Sequence, residues 1–310
     1  MFEYPDWLPL PGNGLRYYSL LYVGVFLGGY RLVDWQLRRG GGDEEDAADF
    51  VLYAVIAILG GARVGHVLFY DFEKFLEDPL WLFMIWKGGL ASHGATAGLF
   101  LAVYLYTKSR GQSFIEMCDR FTYGVALSTI LIRIGNWFNS EIVGRVTDGT
   151  WGVLFTRHDG LNGPLRHPSQ LYEAAFGMLV LATLFVADKA LGKEKRPRGA
   201  MLGLFLALYF SGRFFLEYYK EYQTDAGQVN HAVDFSSALT MGQMLSMPLA
   251  LAGFIGFFVA LKKQVPAKWY GLDDEDDEVD EDDSKEPEVL GGDPDVNEVL
   301  ASPGAADDDD

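Results

Sequence analysis

The stretch of the chain richest in groups able to do chemistry runs from Ile132 to Gly144, reading I-R-I-G-N-W-F-N-S-E-I-V-G. It begins as the end of an apolar run, finishes as a polar loop, and packs Arg133, Asn136, Asn139 and Glu141 into nine positions. If its first part is helical, Arg133 and Asn136 stand three apart and share a face. A permanent cation and amides meeting where a greasy segment ends suit the grip of an anion at a membrane surface, because guanidinium forks bind oxyanions bidentately. Other polar groups also interrupt apolar runs. They are His93 in the glycine-rich G-G-L-A-S-H-G-A-T-A-G (88–98), Arg213 and Glu217 in G-R-F-F-L-E-Y-Y-K (212–220), Arg63 in G-G-A-R-V-G-H (60–66), Arg16 with Tyr17 and Tyr18, and R-H-P-S-Q-L-Y-E (166–173).

An ionisable group inside a membrane span costs about 2.5–3.5 kcal/mol on insertion scales, so each is a functional hypothesis. Each also has a plain structural reading. Glycines and alanines let helices approach closely; Arg213 and Glu217 can pair at i and i+4; tyrosines at an interface are ordinary belt residues; Ser169 or His167 can cap a helix starting near 170. The functional reading gains from convergence, since Arg16 and Tyr18, His93, Arg133 and Asn136, Arg213 and Glu217, and the 166–170 cluster fall toward one side of the topology derived next. Two arginines with amide and aromatic donors there form an anion clamp, and an anion at a lipid boundary is most simply a phospholipid head group.

These groups must be positioned by elements that the apolar pattern predicts. A helix needs roughly 20 predominantly apolar residues to cross a bilayer. Seven segments meet that description, near 17–36, 49–70, 88–107, 114–137, 170–188, 199–217 and 241–261. Seven in 270 residues leave too little polar sequence to cover them, so the expected fold is an all-α polytopic membrane protein. Residues 138–169 hold five glycines around a β-like piece, Trp151 to Thr156, which predicts a small extracytoplasmic cap.

Loop charge sets the orientation, since cytoplasmic loops are enriched in Lys and Arg. One set of loops carries Arg38, Arg39, Lys108, Arg110, Lys189, Lys193, Lys195, Arg196, Arg198, Lys262, Lys263 and Lys268; the other has only Arg16, Lys74, Lys87, Arg145, Arg157, Arg166 and Lys220. The first set is expected in the cytoplasm, with the N-terminus outside and the C-terminus inside, as an odd number of spans requires. The N-terminus shows neither a cationic n-region nor a cleavage site, so the first apolar run is expected to stay as an anchor.

Overall acidity misleads about ligands. The formal charge is −18, yet 19 of the 43 acidic residues lie from Gly271 onward with Lys285 as the one base there, leaving 24 acids against 24 bases in residues 1–270. The tail, 271–310, lacks apolar surface to offset its ordering entropy and is expected to be a disordered cytoplasmic segment beside a catalytic domain of 1–270. Cys118 is the sole cysteine, so no intrachain disulfide and no cysteine-based zinc site can form. No metal, cofactor or nucleic acid is expected.

Six separated motifs occur in one order: G-A-R-V-G-H-V-L-F-Y (61–70), G-G-L-A-S-H-G (88–94), R-I-G-N-W-F-N-S-E-I-V-G-R (133–145), R-H-P-S-Q-L-Y-E (166–173), G-R-F-F-L-E-Y (212–218) and M-G-Q-M-L-S-M-P (241–248). Together they resemble the bacterial prolipoprotein diacylglyceryl transferases over about residues 10–262. The resemblance implies an inner-membrane enzyme moving the diacylglyceryl group of phosphatidylglycerol onto the lipobox cysteine thiol of a preprolipoprotein, with a thioether and glycerol-1-phosphate as products. It matches His93, Arg133 and Arg213 to catalytic positions and Tyr18, Asn136, Asn139, Glu141, Gly144 and Glu217 to further family positions. Arg63 lies in the first motif and joins the candidate substrate-binding residues. Arg133 and Arg213 are then expected to clamp phosphate, with Glu217 orienting Arg213, while His93 either accepts the thiol proton or hydrogen-bonds the head group. The chain departs from the family pattern at Arg16, Ala95-Thr96, Ile132 and Ser140, without loss of a charged group from this set. A different reading of the same arginines is a polytopic lipid-binding or lipid-transport protein.

Overall fold

The structure is a computed structural model that describes residues 17–221 and 239–266. Arg16 and the acidic tail lie outside the described residues, as do the side chains of Tyr18 and Ser92. Nine α-helices are described: α1 Tyr17–Arg39, α2 Glu44–Tyr70, α3 Phe72–Glu77, α4 Ser92–Ser109, α5 Phe114–Asn139, α6 Thr156–Asp159, α7 Ser169–Ala190, α8 Ala200–Leu216 and α9 Met241–Lys263. The seven long ones coincide with the seven apolar segments. Their starts follow local chemistry. Asp43 and Asp46 close a capping box on α2, Thr240 and Gln243 another on α9, and Ser113 caps α5.

The start of α8 is capped from a distance. Asp119, in α5, accepts hydrogen bonds from the amides of Gly199 at 2.6 Å and Leu202 at 2.7 Å. A carboxylate at a helix N-terminus satisfies orphan donors and complements the helix dipole.

Four helices are long and apolar enough to cross a membrane: α2, α7, α8 with its terminal turn, and α9. The other three long helices carry more polar sequence. Arg31, Asp34, Arg38 and Arg39 lie in α1, the polar run S-H-G-A-T opens α4, and α5 holds Glu116, Asp119, Arg120 and Arg133. Large apolar side chains such as Phe26, Leu27, Ile56, Val186 and Phe258 face outward, a distribution suited to lipid rather than water.

Helices pair closely where glycine allows it. In the α2–α4 contact a Cβ on Gly98 would lie 1.9 Å from the Ala57 carbonyl oxygen, and in the α8–α9 contact one on Gly253 would lie 2.2 Å from the Ala207 amide. Neither helix pair could approach as it does with a side chain there.

One end of the bundle is held by buried ion pairs. Arg120 donates to the Gln36 carbonyl at 2.6 Å and meets Glu116 at 3.0 Å and Glu194 at 2.6 Å. Arg39 and Arg196 both reach Asp188, at 2.7 and 3.1 Å, and Arg110 pairs with Asp46 and Asp49. Breaking one partner out of such a buried pair costs about 3–5 kcal/mol, since it strands a charge.

At the opposite end, residues 140–168 contain an antiparallel pair, β1 Val153–Leu154 with β2 Leu165–Arg166, and the single turn α6. Arg166 ties this segment together, gripping Asp159 through two hydrogen bonds of 2.6 and 2.9 Å and pairing with Glu221 at 2.8 Å. Those bonds hold the Asp159 carboxyl below the usual carboxylate range.

Candidate active site

Arg133 sits in the last two turns of α5, and its guanidinium is divided among neighbours. Its Nε meets Glu173 Oε2 at 2.5 Å and its Nη1 donates to Asn136 Oδ1 at 3.3 Å. Asn136 is buried and passes the chain on, donating to Glu141 Oε2 at 3.4 Å, while Asn139 donates to Glu141 Oε1 at 3.2 Å. Glu141 can reach back because the backbone reverses as α5 ends. Ser140 has φ 56° and Ile142 φ 54°, and the Glu141 amide donates to the Asn136 carbonyl at 2.9 Å. Left-handed backbone is where a glycine fits without strain, so the serine at 140 carries a conformational cost of about 1–2 kcal/mol.

Beyond that reversal the chain threads between two others. The Arg145 amide donates to the Tyr219 carbonyl and the Glu221 amide to the Val143 carbonyl, while the His167 amide donates to the Arg145 carbonyl. Gly144 lies at this crossing, where a Cβ would come within 2.3 Å of the His167 carbonyl oxygen and 2.8 Å of that of Tyr219. Its place is explained by close packing of three backbones. The result fixes the end of α8 against the end of α5.

Arg213, in the last turn of α8, faces Arg133 across a small pocket completed by Thr129, Glu173, Phe176, Tyr209 and Leu216. Glu217 does not pair with it. The Glu217 amide still donates to the Arg213 carbonyl, so helical spacing holds to this point, yet no ion pair joins the two side chains among the described residues. Glu217 instead meets Lys220 at 3.6 Å, and Lys220 also meets Glu173 at 3.5 Å. Arg133, Glu173, Lys220 and Glu217 thus form an alternating row of charges, while Arg213 makes no ion pair among the described residues. Burial holds the Lys220 amine below the ordinary lysine range; Glu173 and Glu217 pull it upward, and Arg133 and Arg213 add to the depression.

Glu173 and Lys220 are the members of this row that sequence reasoning did not select. The signal for Glu173 was a carboxylate one turn into a predicted span, but nothing in local spacing ties it to Arg133. The helix it belongs to also starts differently from expectation. Neither His167 nor Ser169 caps α7: Ser169 donates to the Ile142 carbonyl at 3.2 Å and His167 contacts the Tyr172 hydroxyl at 3.3 Å.

Two candidates lie apart from the cluster. His93 is exposed in the first turn of α4, its ring against Phe69 at 5.0 Å and Tyr70 at 6.0 Å between centroids. Arg63 is buried, and four of its five N–H donors go to backbone carbonyls: Leu82 at 3.0 Å, Gly88 at 2.6 Å, Gly89 at 3.2 Å, and Trp81. Its donors hold the 79–89 loop onto α2, so its placement in the structure is that of a loop anchor rather than a ligand group. Among the described residues neither His93 nor Arg63 bonds to the Arg133 cluster.

No group of His, Cys, Asp and Glu suited to a metal ion occurs among the described residues. What the cluster offers is positive charge held rigidly beside a pocket, with carboxylates behind it as supports. That arrangement can neutralise an anion, or charge growing on a leaving group.

The sequence is similar to those of known proteins. Residues 5–259 match the family described as prolipoprotein diacylglyceryl transferase. The chain is 36% identical over 261 residues to a protein of Tolumonas auensis, covering 84% of this chain and 96% of that one. It is 37% identical over 255 residues to one of Pseudoalteromonas atlantica, covering 82% and 88%, and 37% identical over 278 residues to one of Oleidesulfovibrio alaskensis, covering 86% and 99%. Each of these relatives is named a phosphatidylglycerol–prolipoprotein diacylglyceryl transferase. With a match running over residues 5–259, this chain belongs to the prolipoprotein diacylglyceryl transferase family.

Proposed function

We propose that the chain transfers the diacylglyceryl group of phosphatidylglycerol to the lipobox cysteine thiol of a preprolipoprotein, with Arg133 and Arg213 holding the lipid phosphate. The observation that carries this reading is the pocket bordered by both guanidiniums and Glu173, which pairs with Arg133 and with Lys220, itself paired with Glu217. The cysteine loses its proton, since the thiolate is the nucleophile. Its sulfur forms a bond to the terminal glyceryl carbon while the carbon–oxygen bond to phosphate breaks, and glycerol-1-phosphate leaves with the electron pair. Negative charge gathers on that phosphate, where two fixed cations lower the barrier.

Nε and Nη1 of Arg133 are committed to Glu173 and Asn136, which leaves Nη2 to face phosphate. Asn139, Glu141 and Gly144 shape the mouth of the site through the backbone reversal. Tyr18 is assigned to head-group contact on its motif alone. His93, exposed at the start of α4, is the candidate acceptor of the thiol proton.

The seven long helices are read as seven spans, with the N-terminus outside, the C-terminus in the cytoplasm and residues 138–169 as an extracytoplasmic cap. Support comes from the gathering of Arg39, Arg110, Arg196 and Arg198 at one end of the bundle and the Arg133 cluster at the other. Purified protein incubated with phosphatidylglycerol and a lipobox peptide should yield the thioether by mass spectrometry, and Arg133→Ala should not. Lipid binding without product, under conditions where a relative turns over, would refute the transferase reading.

A further inference from the structure

The end of the bundle away from Arg133 holds a groove that this reaction leaves unused. It lies between the start of α8 and the end of α9, has a volume of about 240 Å³, and is walled by Leu202, Leu206 and Val259, with Arg198 and Lys263 at its polar end. Two observations set it apart from ordinary helix packing.

The first is Gly256. Gly203 and Gly253 are needed for α8 and α9 to touch, since a Cβ on them would fall 2.5 Å from the Phe257 amide and 2.2 Å from the Ala207 amide. A Cβ on Gly256 would meet nothing nearer than the Gly203 Cα at 3.9 Å, so the groove stays open there for a reason other than contact between the helices.

The second is Arg198. Its Nε and Nη2 are buried without a hydrogen-bond partner among the described residues, and the carboxylate nearest in its ion pairing, Glu116 Oε2, stands 3.9 Å away. Glu116 already serves Arg120 at 3.0 Å and Arg196 at 3.9 Å, so the charge on Arg198 is only partly offset. Lys263 adds a second cation, and 3.9 Å is beyond hydrogen-bond reach.

An apolar slot open to the lipid-facing surface and ending in two cations matches one kind of molecule in a bilayer. We propose that this groove binds an anionic phospholipid of the surrounding leaflet, one acyl chain lying over Gly256 and the phosphate held by Arg198 and Lys263, as a site separate from the reacting lipid. Basic recesses between helices at the cytoplasmic face have this affinity for acidic head groups. The inference rests on the membrane-embedded reading but not on the transfer chemistry.

The test is native mass spectrometry of the full chain released from nanodiscs of equal dioleoyl phosphatidylglycerol and dioleoyl phosphatidylcholine, with turnover measured in parallel. Gly256→Leu, whose Cβ meets nothing nearer than 3.9 Å and whose side chain enters the groove, should retain one phosphatidylglycerol fewer than wild type while keeping turnover within about twofold. Lys263→Gln leaves the groove open and is exposed, so its folding is not at issue. It should lower the preference for phosphatidylglycerol over phosphatidylcholine about fivefold, the share one surface cation contributes to acidic-lipid attraction. Equal lipid counts in wild type and Gly256→Leu, or an unchanged preference in Lys263→Gln, would overturn the site. Loss of turnover in wild type with the lipid count intact would instead strike the transfer reading and leave this one standing.

Discussion

The row Arg133, Glu173, Lys220 and Glu217 shows how single residues divide the work of binding charge. Arg133 can face a phosphate with one nitrogen only because Glu173 and Asn136 occupy two others. Arg133→Ala is therefore expected to lower kcat by about 10²–10³-fold, the usual effect of removing a preorganised donor. Arg133→Lys should recover little of that, since an ammonium cannot serve three directions in one plane; steady-state assays of the two variants check both statements. Lys220 carries a different signature. Its proton is lost more readily in the folded chain than from ordinary lysine, because it is buried. Activity should fall as pH rises through its depressed pKa, when Glu173 and Glu217 lose their shared partner. Stability moves the other way over the same window, between the folded pKa and the ordinary lysine value, because there the unfolded chain binds more protons. Lys220→Arg, which stays charged, should carry the alkaline limb of the pH–rate profile to higher pH; an unmoved limb would remove Lys220 from the explanation.

At the scale of elements, helix contacts set the frame on which those residues meet. Gly98→Leu should destabilise the α2–α4 pair by at least about 2–3 kcal/mol, because the added side chain runs into backbone that cannot give way. Gly60→Ala, next to the contact residue Gly61 on α2 but with nothing within 4 Å of its new methyl, should stay within about 1 kcal/mol of wild type. Thermal unfolding in one detergent compares them. Long apolar runs are why the helices could be read from sequence: the segment expected near 241–261 is α9, Met241–Lys263, and that near 114–137 is α5, Phe114–Asn139. Short elements without such runs, α3 and the 3-10 turns at Pro79–Phe83 and Ile85–Lys87, left no comparable periodic signal. The site divides in the same way. Arg133, Asn136 and Glu141 were legible because local spacing brings them together, whereas the Arg133–Glu173 pair joins two helices 40 positions apart in the chain. Glu217 was assigned to Arg213 on helical spacing, which the backbone keeps, but its carboxylate turns to Lys220 three residues on.

For the whole molecule, charge is sorted between the two ends of the bundle, and that sorting makes orientation testable. One end concentrates Arg39, Arg110, Arg120, Arg196 and Arg198 with their carboxylates; the other holds the Arg133 cluster and the segment tied by Arg166. If positive charge marks the cytoplasmic end, the reacting lipid is drawn from the outer leaflet, on the side where an exported preprolipoprotein presents its cysteine. The chain lends itself to the measurement because its one cysteine, Cys118, is buried. Asn162→Cys lies exposed beside the β1–β2 pair and Lys195→Cys lies exposed between α7 and α8, so each adds one reachable thiol at one end. On intact spheroplasts a membrane-impermeant maleimide should label Asn162→Cys and spare Lys195→Cys, and lysis should expose the second. Wild type should stay unlabelled throughout. The reverse pattern would place the arginine cluster on the cytoplasmic face, where an exported cysteine does not arrive, and the proposed chemistry would fail with the topology. Labelling of both thiols before lysis would mean that the two ends are not separated by a bilayer at all, against the outward-facing apolar belt of α2, α7 and α9.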